Sequence, residues 1–140
     1  MPAHITPHRV RFHELDPYDH VNHAMYVTYF EIGRVDALEA IDMALHTLKD
    51  QGVQFVVTRL EVRFRNAATA GEDLEIHTGV SSFGRASTVW SQTIRRGDDV
   101  IATSEVTVAV TDGIGKPMRP PAHVFEALEV LALDESDGAE

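Results

Sequence analysis

The stretch Asp16-Pro17-Tyr18-Asp19-His20-Val21-Asn22-His23 separates two sequence patterns. Before it, the run Arg9-Val10-Arg11-Phe12-His13 alternates polar and apolar residues, which predicts a β-strand. After it, apolar residues recur every three or four positions, which predicts a helix that begins after Asn22. The polar loop should therefore end at a helix N-terminus, where free N–H groups and the helix dipole favour an anion or a developing oxyanion.

A long amphipathic helix is predicted from His23 to about Leu48. Its apolar stripe is rich in small residues, which lets a helix axis approach a sheet closely; they are Gly33, Ala37, Ala40 and Ala44. Gly52 is the expected end of the helical segment, because glycine adopts the left-handed conformation that follows many helices.

Downstream of the helix, the apolar period changes to two. The alternating runs are Leu60 to Phe64, Leu74 to Val80 and Val100 to Val110, with a less regular run at 87–96. Short turn signals separate these runs, so we expect four consecutive strands in an antiparallel meander and a short terminal helix from Ala122 to Leu131. The predicted fold class is α+β, with one long helix packed against a five-stranded antiparallel sheet.

Composition places the chain in the ordinary globular class. It has 140 residues, 44% of them hydrophobic, no cysteine and a net charge of −10. A single domain over 1–133 is expected, followed by an acidic disordered tail at 134–140. The negative charge disfavours nucleic acid and anionic membranes as partners. The lack of cysteine and of a signal-like or membrane-spanning segment favours a cytoplasmic location.

The motif Asp16-x-x-x-His20-Val21-Asn22-His23-x-x-Tyr26, followed by Tyr29, Glu31 and Arg34, resembles a known signature. It is that of the 4-hydroxybenzoyl-CoA thioesterase-like branch of the hotdog fold, particularly its bacterial acyl-CoA thioesterases. The runs Phe55-Val56-Val57, Leu60 to Phe64, Ala70 to Ile76 and Gly84-Arg85-x-Ser87 extend the resemblance over residues 9 to 111. The resemblance implies hydrolysis of a fatty or aromatic acyl-CoA without a cofactor, in a homodimer or homotetramer with sites between subunits.

Asp16 matches the position of the family's catalytic carboxylate. Thioester hydrolysis needs a carboxylate that attacks the carbonyl or activates water, and donors for the oxyanion. The resemblance gives Asp16 the first role, and the backbone N–H groups near Asn22 and His23 can take the second. From the residues alone, the favoured interpretation of Asp16 is an ordinary turn residue that binds nearby amides, and the resemblance reverses that preference.

The other candidate catalytic residues each carry a structural alternative. His23 is either a structural histidine or a group that orients Asp16 or polarises the thioester carbonyl. Asn22 either caps the helix or donates its amide to substrate, and capping is the safer interpretation. Tyr26 lies one turn later, where its hydroxyl either reaches the site or only packs. His20 is assigned to loop architecture.

Substrate binding by an acidic protein calls for local basic residues, because coenzyme A carries phosphates. The candidates are Arg59, Arg63, Arg65 and Arg85. The first three share one face of a predicted strand. The alternative to phosphate binding is that they form a solvated surface and pair with Glu61. The acyl group is not defined by the sequence, although Tyr29, Phe30, Phe55 and Trp90 could line its pocket.

Two other function classes remain open from the sequence. Asp16, Asp19, His20 and His23 offer oxygen and nitrogen ligands for a metal, although the resemblance explains them without one. A non-catalytic module that binds acyl-CoA or an acyl-carrier protein is also compatible with the fold, and the carrier protein is the alternative acyl donor.

Overall fold

In the computed structural model, residues 3–133 are described, so the acidic tail at 134–140 lies outside them. The elements are β1 (His4–Arg9), α1 (His23–Ala40), α2 (Leu45–Asp50), β2 (Gln54–Phe64), β3 (Asp73–Phe83), β4 (Ser87–Arg96), β5 (Asp99–Thr111) and α3 (Ala122–Glu129). One turn of 3₁₀ helix, Phe12–Glu14, lies between β1 and α1. Within residues 3–133, no helix is long and apolar enough to cross a membrane.

The five strands form one antiparallel sheet in the order β1-β3-β4-β5-β2. The predicted α+β class and five-stranded sheet are therefore confirmed, and the strands β3, β4 and β5 form a meander. The prediction of a four-strand meander was wrong, because β2 pairs with β5 and not with β3. The segment between β2 and β3 crosses to the far side of the sheet, which sequence period cannot reveal.

The prediction of one helix from His23 to about Leu48 was also wrong, since α1 ends at Ala40 and α2 begins at Leu45. Asp42 adopts a left-handed backbone with φ of 59°. The N–H groups of Asp42 and Met43 donate to the carbonyls of Glu39 and Leu38, which is the Schellman pattern of a helix end. The helical apolar spacing continues past the break because α2 resumes it. Gly52, at φ of 81°, follows the end of α2, as expected.

The first strand lies upstream of its predicted position. β1 covers His4–Arg9, while Phe12 lies in the 3₁₀ turn with its side chain 82% exposed. The strand contains Pro7, which argues against a central strand. Within the described part of the chain, β1 is an edge strand that pairs only with β3, so the missing N–H of Pro7 is tolerated.

Helix α1 packs closely on one face of the sheet at Gly33, as its small residues predicted. A Cβ atom built there would lie 2.6 Å from Ile76 Cγ2 and 2.7 Å from Thr78 Oγ1. β2 presents Phe55 and Val57 on this helix-facing side, and a bulge after Val57 shifts the phase so that the later apolar residues of β2 face the same way.

The core beneath α1 consists of two clusters of buried residues. One contains Tyr29, Phe30 and Ile94 near the Asp16 loop, and the other contains Leu38 and Trp90 towards α2 and α3. Between them the sheet carries a polar row of Thr78, Gln92 and Ser104, which are cross-strand neighbours. The polar row separates the part of the core that supports the loop from the part towards α2 and α3.

Candidate active site

The Asp16 loop is held by its own backbone. Leu15 and Val21 form an antiparallel bridge, and the Asp16 N–H donates to the His20 carbonyl at 2.7 Å. Asp16 Oδ1 accepts from the N–H groups of Tyr18 at 2.8 Å and His20 at 3.2 Å. The turn interpretation of Asp16 therefore accounts for Oδ1 only. Within residues 3–133, Oδ2 accepts no hydrogen bond and is left for chemistry.

The start of α1 leaves one amide open beside this loop. Asn22 Oδ1 accepts from the Ala24 N–H at 2.9 Å, so Asn22 is the helix cap. The Asn22 N–H donates to the Glu14 carbonyl, and the Met25 N–H donates to the Asn22 carbonyl. Among the described residues, the His23 N–H has no acceptor. It is the one amide of this group that can serve as an oxyanion donor.

The side chains of His20, His23 and Tyr26 have different surroundings. His20 and His23 are exposed, and the His23 ring meets the edge of Phe64 at 6.5 Å between centroids. Tyr26 is buried against Phe64, and its hydroxyl oxygen accepts from the Ala68 N–H at 3.3 Å. Burial raises the pKa of Tyr26. This geometry favours the packing interpretation of Tyr26.

Glu14, which the sequence analysis did not select, supports the loop from below. Its side chain is 7% exposed, and Oε1 accepts from the Arg11 N–H and the Tyr29 hydroxyl at 2.8 Å each and contacts His8 Nε2 at 3.2 Å. Burial opposes its ionisation most strongly, yet these hydrogen bonds outweigh it and hold the pKa of Glu14 below its ordinary value. Burial and the bond to Glu14 raise the pKa of Tyr29. Glu14 therefore joins β1, the loop and α1 as an anion.

The segment at 66–72 closes the other side of the loop. The Val21 N–H donates to the Ala68 carbonyl at 2.8 Å, and Thr69 Oγ1 donates to the Asp19 carbonyl at 2.8 Å. Arg96 in turn holds this segment through the Ala67 carbonyl at 2.9 Å. The loop is thus braced from both sides, which suits a carboxylate that must hold its position.

The four candidate arginines do not come together. Arg59, Arg63 and Arg65 follow the sheet face opposite α1, and both Arg59 and Arg63 contact Glu61, at 3.3 and 3.5 Å. Arg85 instead lies in a separate cleft of about 740 Å³ beside α3. Arg119 lines the same cleft, next to the rings of Phe83 and Phe125, whose planes are tilted by 59° and whose centroids are 5.4 Å apart.

A smaller apolar cleft of about 230 Å³ lies between α1 and β2. Its walls include Arg34, Val35, Leu38, Phe55, Val57 and Trp90. Two residues expected to line an acyl pocket, Phe55 and Trp90, are therefore found together here. The other two, Tyr29 and Phe30, are buried in the core near the loop.

The metal alternative finds no support in the geometry of the described residues. Among residues 3–133, no three His, Cys, Asp or Glu side chains are grouped closely enough to hold a metal ion. Asp16, Asp19, His20 and His23 share a loop, but their side chains do not converge.

A five-stranded antiparallel sheet packed against one long helix is the architecture of the hotdog-fold thioesterases. The thioesterase-like superfamily model matches residues 10–128. The acyl-CoA thioesterase YbgC of Haemophilus influenzae is 31% identical over 89% of this chain and 93% of its own. The protein described here therefore belongs to the thioesterase-like superfamily, and it is a thioester hydrolase.

Solved structures agree with this assignment. A probable thioesterase from Bartonella henselae superposes with a TM-score of 0.80 at 31% identity, covering 85% of this chain and 99% of that one. A thioesterase from Thermus thermophilus, complexed with coenzyme A and Zn, gives a TM-score of 0.80 at 25% identity over 91% and 92% of the two chains.

Sequence reasoning missed Glu14 as a support and did not assign a role to Arg34. Both occur within or beside the motif, but neither interrupts the apolar period in a way that signals burial. Because Glu14 and Arg34 are charged, the sequence predicted that both would be exposed. Only the packing shows that their side chains point inward.

Proposed function

We propose that the protein hydrolyses an acyl-CoA thioester, with Asp16 as the catalytic carboxylate and the His23 N–H as an oxyanion donor. The open Oδ2 of Asp16 beside the open amide at the helix start carries this proposal. Asp16 either attacks the carbonyl, forming a mixed anhydride and releasing the CoA thiolate, or takes a proton from the attacking water. In both routes the carbonyl oxygen becomes negative, and the amide and helix dipole stabilise it.

The proposed active site is completed by a second copy of the chain. β2 is an edge strand of eleven residues without proline, and its exposed apolar side chains include Val57, Leu60 and Phe64. A long apolar edge of this kind needs a partner strand. We therefore place the dimer contact at β2, with the two β2 strands antiparallel about a two-fold axis.

That pairing joins two features that are far apart in one protomer. The Asp16 loop lies at the Phe64 end of β2, since Tyr26 and His23 contact Phe64, whereas the apolar cleft lies at the Phe55 end. Nine residues of strand separate the two ends by about 30 Å. Antiparallel pairing brings the Asp16 loop of one protomer to the cleft of the other. The cleft is therefore proposed as the acyl site.

Arg85 is the proposed contact for the CoA phosphates. Arg59 and Arg63 already face Glu61, while Arg85 shares its cleft with a second cation, Arg119, and an aromatic pair. Arginine suits phosphate because of its bidentate fork. Arg65 remains the alternative contact, because it lines the polar groove on the open sheet face.

The test of the catalytic assignment is turnover by the wild type and Asp16→Asn across a set of acyl-CoA thioesters. Asp16→Asn should lower kcat by roughly 100-fold or more for every substrate, as expected when a nucleophile or general base is lost. Circular dichroism confirms that the variant is folded. A folded variant with near-wild-type kcat would contradict the role of Asp16. Faster turnover of an acyl-carrier protein thioester would show that the preferred acyl donor is the carrier protein and not CoA.

Mixed dimers test the shared site. Asp16→Asn removes the carboxylate, and Val35→Trp fills the cleft, so each homodimer should be inactive. In a random one-to-one mixture about half of the dimers are mixed, and each holds one complete site, so about a quarter of wild-type activity should return. No recovery in mixtures that light scattering shows to be dimeric would place both groups of one site in the same protomer.

A further inference from the structure

Arg34 is a half-buried cation with few partners. Its Nη1 donates to Gln92 Oε1 at 2.9 Å, and within residues 3–133 no carboxylate lies at ion-pair distance. A guanidinium has five N–H donors, and burying a charge without matching acceptors is costly. Burial lowers the pKa of Arg34, and the charge of Glu31 offsets part of that effect.

Gln92 cannot supply further acceptors to Arg34. Its Nε2 donates to the Phe30 carbonyl at 2.8 Å and to Thr78 Oγ1 at 3.0 Å, which fixes the orientation of the amide. The next side chain in the polar row, Ser104, is 5% exposed, and its Oγ has no hydrogen-bond partner among the described residues. The polar row thus holds unused donors and acceptors on the helix-facing side of the sheet.

Arg34 lies where its unused N–H donors could contact a ligand in the apolar cleft. Arg34 joins the polar row through Gln92 and also lines the apolar cleft, whose other walls include Val35, Leu38 and Trp90. At about 230 Å³ the cleft is smaller than the sites of drug-sized ligands, so it suits a short acyl group. A hydrocarbon chain in this cleft would cover the guanidinium without satisfying it.

We infer that the cleft selects short acyl groups that carry a neutral oxygen acceptor, a keto or hydroxyl group, and that the Arg34 guanidinium binds this oxygen. The inference rests on the proposed function, because it assigns the cleft to the acyl group. A neutral oxygen is favoured over a carboxylate because Glu31 also lines the cleft and would repel a second anion. Arg34 is then a specificity determinant, separate from the chemistry at Asp16.

Three six-carbon thioesters test this selection: hexanoyl-CoA, 5-oxohexanoyl-CoA and adipoyl-CoA. Wild type should favour the oxo substrate over hexanoyl-CoA in kcat/KM by about 10-fold or more, as expected for a hydrogen bond to a charged group. Arg34→Met should bring that ratio close to one, and any general loss of activity cancels in the ratio. Arg34→Lys should restore part of it. The matched control is Lys49→Met, which removes an exposed cation in α2 and should leave the ratio unchanged.

Binding separates this inference from the proposed chemistry. Calorimetry of the same three thioesters with Asp16→Asn, alone and combined with Arg34→Met, reads the selectivity of the cleft without turnover. A wild-type ratio near one, a ratio that Arg34→Met does not change, or a preference for adipoyl-CoA would overturn the inference even if all three are hydrolysed. Absence of hydrolysis together with Arg34-dependent binding would instead overturn only the proposed chemistry.

Discussion

Glu14 and Arg34 are two charged groups turned inward beneath the same helix, but their surroundings differ. One oxygen of Glu14 contacts three partners, from Arg11, Tyr29 and His8. Among residues 3–133, Arg34 has one acceptor, the neutral Gln92 side chain. Three contacts from the fold thus meet one oxygen of Glu14, whereas Arg34 retains donors that the described residues do not use.

This difference indicates that the end with the Asp16 loop and the end with the apolar cleft have different roles. At the loop end, the hydrogen bonds of Glu14, Val21 and Thr69 hold the Asp16 loop and the start of α1 in place. At the cleft end, an incompletely satisfied cation borders an apolar space. An inward-facing charge with several partners is best explained as a support, and one with a single partner as a group that meets a ligand.

The largest expected effect comes from removing the two charges in turn. Glu14→Leu leaves three partners without an acceptor and should lower the free energy of unfolding by about 3 kcal/mol or more. Arg34→Met removes a poorly compensated cation and should cost only about 1 kcal/mol. Urea unfolding followed by the fluorescence of Trp90, the single tryptophan, measures both. Equal losses would erase the distinction between a support and a ligand-binding group.

Gly33→Ala tests how closely α1 packs on the polar row that separates the loop end from the cleft end. Alanine favours a helix over glycine by about 1 kcal/mol, but its Cβ would meet Ile76 Cγ2 at 2.6 Å and Gln92 Nε2 at 3.0 Å. Overpacking should prevail, with a net loss of about 1 to 2 kcal/mol in thermal or urea unfolding. A more stable variant would show that α1 has room to move away from the polar row.

The smallest expected effect is the acid dependence of Glu14. Its folded-state pKa lies below the ordinary value of 4.5, so the unfolded chain binds more protons between the two values. The stabilisation is therefore complete above the ordinary pKa and is lost as the pH falls through the folded pKa. From about pH 6 to about pH 3, wild type should lose more unfolding free energy than Glu14→Gln, which cannot ionise. Parallel curves for the two proteins would contradict the assignment of Glu14 as a structural anion.

The sequence by itself determined the class of the fold and pointed to the proposed place of the chemistry. The change from a helical period to a period of two fixed one helical segment and the later strands, and Asp16 with Asn22 marked a carboxylate beside a helix start. These signals are local, since backbone geometry ties period and caps to residues a few positions apart. The misplaced first strand shows the limit of local evidence, because the short run at 9–13 alternates by chance while β1 is defined by pairing with β3.

Only the tertiary structure decided which strands pair, where α1 ends and which charged side chains turn inward. The pairing of β2 with β5 places an apolar edge at the outside of the sheet, and it separates the Asp16 loop from the cleft by the length of that strand. Glu14 and Arg34 look like surface residues in the sequence, because burial depends on partners distant along the chain, such as Tyr29 for Glu14 and Gln92 for Arg34. Contacts of that kind have no period, so the sequence pattern does not record them.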